Sequence, residues 1–598
     1  MQGETSGEGR FARLAVIAAG IGFPLAVVLW ASFSGRWLEV ISEPLARNGL
    51  AAGLFVLAGL ALSKFTWRIA PAIGRLDAWL SGQKHFDIVV TCAGLPGYMI
   101  LMVAPVFGPW LTTDSWHYLG WAAWRPAGYP LILWVTATFD PSLKLAMAAQ
   151  LIATFFAALM LARTIRRLVG GPAGLAVGVM LMTSLPFLYN VNVILSDQLF
   201  ICVVAAILIV ALKYLEKTGL PRLAILWLLV LFAVLLRPVG VTLIVPIAFL
   251  IWLKSPGWKA AILSIAAPAV AILLLVSASN VLLFGFFRPF ALGGTAQVAG
   301  TWCLSGAAAP SGDLERKLAP IGQSLCMKLA AADSEAAWFQ TAQTATTEAV
   351  SSGIIATQQH IRETLPDSLV TPGAGHLRMY LQRENYRLGD AAIEGMAGNW
   401  SDGPRFWPAT NDLLAEIAGR RIAAAPVEYG IQSLRRMASG WLEVIPVFSA
   451  ERNLGPQTVF DIEANQTRFR RAIPADWWDF PPVSMAVPAL DLLAAPGYLL
   501  VRHLFLPALV LVLGIWTLAA AIRRRLGGLA IPSALGIAAF SALFLFTYHG
   551  AVAASAVMIP RLAAPGIAPA WVVVACGLWY LLMRGSKRGE TDGDRIPH

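Results

Sequence analysis

Long apolar runs alternate along the chain with short polar segments that are often basic. A helix needs about 20 apolar residues to cross a bilayer. We predict membrane spans over 13–33, 49–66, 87–108, 142–163, 172–190, 194–214, 221–236, 239–254, 260–285, 503–522, 529–547 and 566–583. The pattern therefore predicts a mainly α, polytopic membrane protein of about 12 transmembrane helices.

The composition supports a membrane protein. Of the 598 residues, 57% are hydrophobic and only 13% are charged, whereas soluble domains carry roughly 25% charged residues. The formal net charge of +11 comes from basic residues that cluster in short loops between apolar runs, which is how membrane proteins set their orientation. We therefore expect membrane lipids as partners and no nucleic acid. The loop charges also predict that both termini are cytoplasmic.

The region 286–495 loses the membrane pattern and is polar, with amphipathic helices expected within 331–358 and 411–437. By the parity of the spans it should form a soluble extracytoplasmic domain inserted before the last three helices. We divide the chain into a two-helix extension at 1–86, a membrane core at 87–285 with an outer loop at 109–130, the domain at 286–495, and the last three helices with a cytoplasmic tail at 496–598.

Two of the five cysteines, Cys303 and Cys326, fall in the predicted extracytoplasmic domain. A disulfide can persist there because the compartment is oxidising, and we predict that the two are paired. The alternative is two unpaired thiols. No Cys or His cluster has metal-ligand spacing, so no structural zinc site is expected.

The segment LTTDSWHYLGWAAWRPAGYP, residues 111–130, follows the third span. In a helix over 112–124, the side chains of Asp114, His117, Tyr118 and Trp121 would share one face. Such a face could offer the Asp114 carboxylate as a general base to an acceptor hydroxyl. The alternative is an aromatic belt at the membrane interface with Asp114 as a helix cap.

Charged residues at membrane depth are costly and usually functional. Asp197, in ILSDQLF, could cap the sixth span together with Ser196 or act near Asp114. Arg237-Pro238 interrupts an apolar run whose two arms are roughly 23 Å long at 15 residues each, so we predict a hairpin with Arg237 below the outer surface. Arginine binds phosphate well there; the alternative is snorkelling to the headgroups.

A second candidate for phosphate binding is Arg561, in MIPRLAAPGIAPAW before the last span. Tyr548 and His549 end the preceding span and should face the same side of the membrane. The alternative for Arg561 is an interfacial anchor.

Together these residues resemble the GT-C superfamily of polyprenyl-phosphate-sugar-dependent glycosyltransferases, the class of protein O-mannosyltransferases and lipid A aminoarabinose transferases. The similar motifs are Asp114 with Tyr118, Arg125-Pro126-Ala127-Gly128-Tyr129-Pro130, Ser196-Asp197-Gln198-Leu199, Arg237-Pro238, and Arg561-Leu562 with Pro565. Many members carry two adjacent acids after the first core span, whereas Ser115 follows Asp114 in this sequence.

The resemblance implies an inverting sugar transfer from a polyprenyl-phosphate donor to a hydroxyl of a lipid, glycan or protein acceptor. Asp114 would be the catalytic base, and Arg237 and Arg561 would hold the donor phosphate. Substrate-binding residues would be His117, Tyr118, Arg125, Tyr129, Asp197, Tyr548 and His549. No cofactor is required, although a divalent metal is possible. The expected location is a bacterial inner membrane, with the active site on its outer face.

Two other classes stay open. A secondary transporter would also carry charges in its spans, but it should show two similar halves with broken helices near the bilayer midplane. A non-catalytic component of a cell-envelope complex would leave Asp114 and Arg237 without a shared cavity. An enzyme requires Asp114 and both arginines within about 15 Å of one another, a bound set by near-attack geometry plus one sugar.

Overall fold

A computed structural model of the chain describes residues 74–80, 85–95, 98, 115–119, 125–140, 143–183, 191, 193–255, 257–284, 286–290, 293–304, 310–333, 335–364, 403–439, 506–555 and 564–593. The predicted spans at 13–33 and 49–66, most of the 1–86 extension, Asp114 and Arg561 lie outside the described residues.

The described part of the chain is mainly helical and contains no β-strand. In chain order the helices are α1 (74–80), α2 (His85–Leu95), α3 (Ser115–Leu119), α4 (Gly128–Phe139), α5 (Lys144–Leu168), α6 (Gly171–Met182), α7 (Ser196–Glu216), α8 (Leu220–Leu236), α9 (Ile244–Lys254), α10 (Trp258–Phe284), α11 (Gly293–Thr301), α12 (Asp313–Ala330), α13 (Glu335–Thr364), α14 (Gly403–Ala424), α15 (Pro426–Ser439), α16 (Leu506–Leu526), α17 (Ser533–Ala554) and α18 (Ile567–Gly593). Short 3-10 helices cover Pro238–Leu243 and Ala564–Gly566.

In the described ranges, five helical segments are long and apolar enough to cross a membrane: Lys144–Leu168, Ser196–Glu216, Lys259–Phe284, Ser533–Ala554 and Ala564–Met583. They make the chain a membrane protein by length and composition. Five further apolar helices within the described residues are shorter: His85–Leu95, Gly128–Phe139, Gly171–Met182, Leu220–Leu236 and Pro238–Lys254. The full set of twelve spans stays a prediction.

Helix α7 lies at the centre of the membrane helices. It packs against α5, α8, α17 and α18, and nearly every large apolar side chain along it is buried, including Phe200, Ile207 and Leu212. A helix that is apolar on all sides is typical of a position surrounded by other helices. The ends of α7 therefore define the two ends of the bundle.

The apolar run 223–253 is a hairpin. Helix α8 ends at Leu236, Arg237 is extended, and the 3-10 helix Pro238–Leu243 packs back against α8 before α9 begins. Gly240 makes the close return possible, since a Cβ there would lie 2.6 Å from the Ala233 carbonyl carbon. The hairpin places Arg237 at the same end of the bundle as the N-terminus of α7, which we call the Arg237 end.

The opposite end of the bundle is basic. At this end Arg163, near the end of α5, pairs with Asp87 of α2 at 2.8 Å, and Arg525 of α16 donates a hydrogen bond to the Ser255 carbonyl. Arg166 donates to the Leu80 carbonyl at 3.4 Å. The basic groups thus lie at the end of the bundle opposite to Arg237, although the orientation across a membrane stays a prediction.

Helices α11 to α14, within the predicted 286–495 domain, share a separate hydrophobic cluster. Its buried members include Trp302, Leu318, Ile354 and Leu414. Of the two segments expected to contain amphipathic helices, 331–358 is helical from Glu335 onward, and 411–437 is helical but divided at Ala425 into α14 and α15. Pro426 accounts for the division because proline lacks an N–H group and is favoured in the first turn of a helix.

A disulfide joins Cys303 and Cys326, whose Cα atoms are 5.4 Å apart. It ties the segment after α11 to α12 inside the cluster of α11 to α14. By loop length, such a bridge contributes about 3 kcal/mol in the chain-entropy model.

Candidate functional site at the Arg237 end

The first turn of α7 carries a buried carboxylate. The N-cap residue is Leu195, and no side chain caps the helix, so the interpretation of Ser196-Asp197 as a cap is wrong. The Asp197 side chain instead forms an ion pair with Arg237. The two side chains are only 2% and 8% exposed, so both charges are nearly removed from solvent.

Arg237 reaches Asp197 because its backbone is extended between α8 and the 3-10 helix. Its guanidinium also lies 6.0 Å from the centre of the Phe200 ring, one turn further along α7. Burying two charges is costly, and removing one partner of such a pair costs more than the pair contributes. The stability of each buried charge therefore depends on the other. Because Arg237 is buried against Asp197, it does not snorkel to the surface.

The aromatic segment meets α7 directly. The Tyr118 hydroxyl and the Ser196 hydroxyl are 2.7 Å apart and buried, and Ser115 donates to the Ile194 carbonyl at 3.0 Å. Helix α3 is thereby joined to the residues around the start of α7. The predicted helix over 112–124 is described only from Ser115 to Leu119.

Arg125 connects two of the predicted substrate-binding residues. It donates to the Tyr118 hydroxyl at 3.5 Å, lies 5.0 Å from the centre of the same ring, and approaches His117 Nδ1 at 3.4 Å. Gly128, at the start of α4, allows this turn to touch α8, since a Cβ there would lie 2.6 Å from the Leu235 carbonyl oxygen. The turn is therefore packed against the helix that ends at Arg237.

Tyr129 belongs to a second polar chain. Its ring packs edge-on against Tyr118 at 5.0 Å, and its hydroxyl donates to Gln150 Oε1 at 3.0 Å. Gln150 Nε2 in turn donates to the Val191 carbonyl at 3.0 Å. The chain holds the segment that leads into Ser196-Asp197 in place.

The sequence did not point to Gln150 or Thr154, and it gave Gln198 no role beyond its place in the Ser196–Leu199 motif. Gln198 Nε2 donates to Thr154 Oγ1, which donates to the Gln150 carbonyl, both at 2.7 Å. Gln150 and Gln198 each lie within an apolar run of the sequence. That position could have marked them as candidates, because polar residues at membrane depth need partners and are often functional.

Tyr548 and His549 close the other side of the site. Both are fully buried; the Tyr548 ring stacks with Phe200 at 6.0 Å, and Gly566 lies directly against the His549 ring. Among the described residues, the Tyr548 hydroxyl has no hydrogen-bond partner. Buried hydroxyls are normally paired, so this atom is a candidate contact for a bound molecule.

The described site residues thus converge. One set of contacts links His117, Arg125, Tyr118 and Ser196. A second set links Asp197, Arg237, Phe200 and Tyr548. The two sets meet at the chain neighbours Ser196 and Asp197. Asp114 and Arg561 lie outside the described residues, so the predicted separations of Asp114 from the two arginines stay predictions. Their chain neighbours Ser115 and the 3-10 helix Ala564–Gly566 contact the site region, at Ile194 and His549 respectively.

The part of the chain that the structure describes contains no group of three or more His, Cys, Asp or Glu side chains placed to hold a metal ion. Asp114 lies outside this part of the chain, and the expectation that no metal is required stays a prediction. A comparison of the chain with protein-family models and with curated proteins gives no match.

Proposed function

We propose that the chain is a membrane glycosyltransferase of the GT-C type. It would move a sugar from a polyprenyl-phosphate donor to an acceptor hydroxyl at the Arg237 end of the bundle, on the outer face of the membrane. One observation carries the proposal: a buried arginine, a carboxylate and a set of aromatic and hydroxyl side chains converge at one end of apolar, membrane-type helices. Such a site suits a substrate with an apolar tail and a charged head.

Arg237 is proposed to engage the donor phosphate. A guanidinium has five N–H donors arranged in a fixed fork that matches phosphate oxygens. Asp197 holds this fork through its ion pair with Nη1. We therefore assign Asp197 to positioning Arg237 and not to proton transfer, which modifies its predicted place among the substrate-binding residues.

The proposed reaction is a single displacement. The acceptor oxygen bonds to the anomeric carbon while the bond from that carbon to the phosphate oxygen breaks. The Asp114 carboxylate takes the acceptor's proton, and polyprenyl monophosphate leaves with its negative charge stabilised by Arg237 and Arg561. Attack opposite to the leaving group inverts the anomeric configuration.

The remaining residues are assigned by position. Tyr548, with its buried hydroxyl, and His549 would contact the bound donor, while His117, Tyr118, Arg125 and Tyr129 would shape the side facing the acceptor. Apolar walls such as Phe200 exclude water, which strengthens the attraction between arginine and phosphate. No metal is needed in this scheme because two arginines can balance a monophosphate.

Deletion and complementation test the proposal. A strain lacking the gene should lose one sugar substituent from its envelope lipids, glycans or proteins, as measured by mass spectrometry. The wild-type chain should restore it, and Asp114→Asn should not. The matched control is Asp313→Asn, which removes an exposed carboxylate on α12 and should restore the substituent fully. Equal restoration by Asp114→Asn would exclude Asp114 as the base.

A further inference from the structure

Helix α15 turns its apolar face away from the rest of the described structure. Val427, Ile431 and Leu434 are 73%, 62% and 61% exposed. Their spacing of four and three residues places them on one side of the helix. A soluble domain normally buries such a stripe, so its outward position requires an explanation.

The opposite face of α15 is polar and bound to the protein. Arg436 Nη2 donates to the Gly300 carbonyl at 3.1 Å, and Gln432 Nε2 donates to the Cys303 carbonyl at 3.3 Å. These bonds satisfy carbonyls at the C-terminal end of α11. They also fix the rotation of α15 about its axis, so the apolar face cannot turn inward.

The position of α15 indicates what its apolar face meets. The Tyr429 hydroxyl donates to the carbonyl of Ala554 at 2.6 Å, and Ala554 is the last residue of α17, a helix long and apolar enough to cross a membrane. Met437 of α15 and Trp338 of α13 pack against the same hydrophobic cluster as the membrane helices. Helix α15 is therefore continuous with the membrane part of the molecule, at the Arg237 end.

The flank of the apolar stripe suits the headgroup region. Arg435 is exposed and lies beside the stripe, with its guanidinium 4.2 Å from the centre of the Trp338 ring. Arginine and tryptophan are enriched where an apolar surface meets water at a membrane. A helix with an apolar face and an arginine beside it, in contact with the end of a spanning helix, has the character of a membrane-contacting amphipathic helix.

We propose that α15 docks on the lipid bilayer, inserting Val427, Ile431 and Leu434 into the leaflet at the Arg237 end. The occupant of this face is lipid and not a protein partner. The contact would hold the unit of α11 to α14 against the membrane beside α17, the helix that carries Tyr548 and His549. This inference does not depend on the proposed sugar transfer.

Depth-dependent fluorescence quenching tests the proposal. A bimane label is placed at Ile431→Cys in full-length protein in which the exposed Cys92 is replaced by Ser, and the protein is embedded in phosphatidylcholine nanodiscs. The control label is at Arg316→Cys, on α12, where 70% of the native side chain is exposed. Lipids with brominated acyl chains should quench most of the fluorescence at position 431 and little at 316, whereas aqueous iodide should do the reverse.

Two results would overturn the proposal. Iodide quenching at position 431 as strong as at 316 would place the face in water. Protection from both quenchers would mean that protein covers it: another segment of this chain, a second copy or another partner. If Ile431→Cys does not give a monodisperse protein, the same label at Leu434→Cys replaces it, because the two residues share one face.

Discussion

Two buried tyrosines at the Arg237 end differ in one respect. The Tyr118 hydroxyl is paired with Ser196 at 2.7 Å, whereas the Tyr548 hydroxyl has no hydrogen-bond partner in the described part of the chain. A paired hydroxyl contributes to stability, and an unpaired buried one does not. Tyr118 therefore helps to hold the site together, whereas the Tyr548 hydroxyl is the one that would contact a ligand.

Replacing each tyrosine by phenylalanine should therefore have different effects on stability and on sugar transfer. Tyr118→Phe should lower the free energy of unfolding by about 1 kcal/mol, because it removes a net-favourable buried hydrogen bond. Tyr548→Phe should leave the melting temperature unchanged or raise it, while sugar transfer falls. Melting temperature in detergent and transfer in proteoliposomes are the measurements. Full transfer by Tyr548→Phe would show that the Tyr548 hydroxyl does not contribute to substrate binding.

The buried Asp197–Arg237 ion pair should be needed for both stability and transfer. Asp197→Ala leaves the Arg237 charge buried without its partner, which should cost about 3–5 kcal/mol of stability. The double variant Asp197→Leu, Arg237→Met should recover most of that stability, because apolar replacements of a buried ion pair are often neutral. It should nevertheless show no transfer, since the phosphate-binding group is gone. Transfer by the stable double variant would contradict the role of Arg237.

At the scale of single elements, the hairpin between α8 and α9 sets the position of Arg237. Its return depends on Gly240, where an added Cβ would meet the Ala233 backbone at 2.6 Å. Backbone atoms cannot move aside as a flexible side chain can. The hairpin must therefore open if this glycine is replaced.

Gly240→Ala should lower the melting temperature and reduce transfer, because the displaced hairpin carries Arg237. Gly419→Ala is the matched control: nothing lies within 4 Å of a Cβ at Gly419 in α14. A helical Gly→Ala change in open space stabilises by roughly 1 kcal/mol. If Gly240→Ala behaved like Gly419→Ala, the hairpin would not constrain Arg237.

Glu315 of α12 gives the unit of α11 to α14 a dependence on pH. Burial of Glu315 favours its neutral form, but hydrogen bonds from Ser311 and the charges of Arg421 and Arg420 outweigh burial, so its pKa is lowered. A carboxylate with a lowered folded-state pKa contributes stability above its unfolded pKa, about 4.3, and loses it as the pH falls through the folded-state value.

The wild-type chain should therefore be more stable than Glu315→Gln by the largest margin at pH 6–7. This margin should shrink below about pH 4.3. Melting temperatures of both chains across this range measure it. A difference that stays constant down to pH 3 would show that the Glu315 charge does not support these helices.

At the scale of the whole molecule, the hydrophobic pattern located α5, α7, α10, α17 and α18, since each has one long apolar run that specifies a buried or lipid-facing helix. It also indicated the turn at Arg237, because the charge interrupts such a run. It could not show that Asp197 pairs with Arg237, because residues 40 positions apart meet only through packing. For the same reason Gln150 had no visible partner in the sequence.

The two largest hydrophobic clusters divide the described part of the chain into a membrane bundle and the unit of α11 to α14, with α15 in contact with both. Only the first carries the candidate site. A transporter and an enzyme would both carry charged residues among such helices, and they differ in what happens to the substrate. The decisive experiment must therefore follow chemistry and not binding.

The most direct test follows the fate of the lipid-linked sugar. Purified protein in proteoliposomes is incubated with polyprenyl-phosphate-sugars and envelope acceptors extracted from the deletion strain, and the lipids are followed by mass spectrometry. The wild-type chain should release one polyprenyl monophosphate for each sugar transferred, and Asp114→Asn should release none. Lipid-linked sugars that remain intact, or that cross the bilayer without cleavage, would contradict glycosyl transfer.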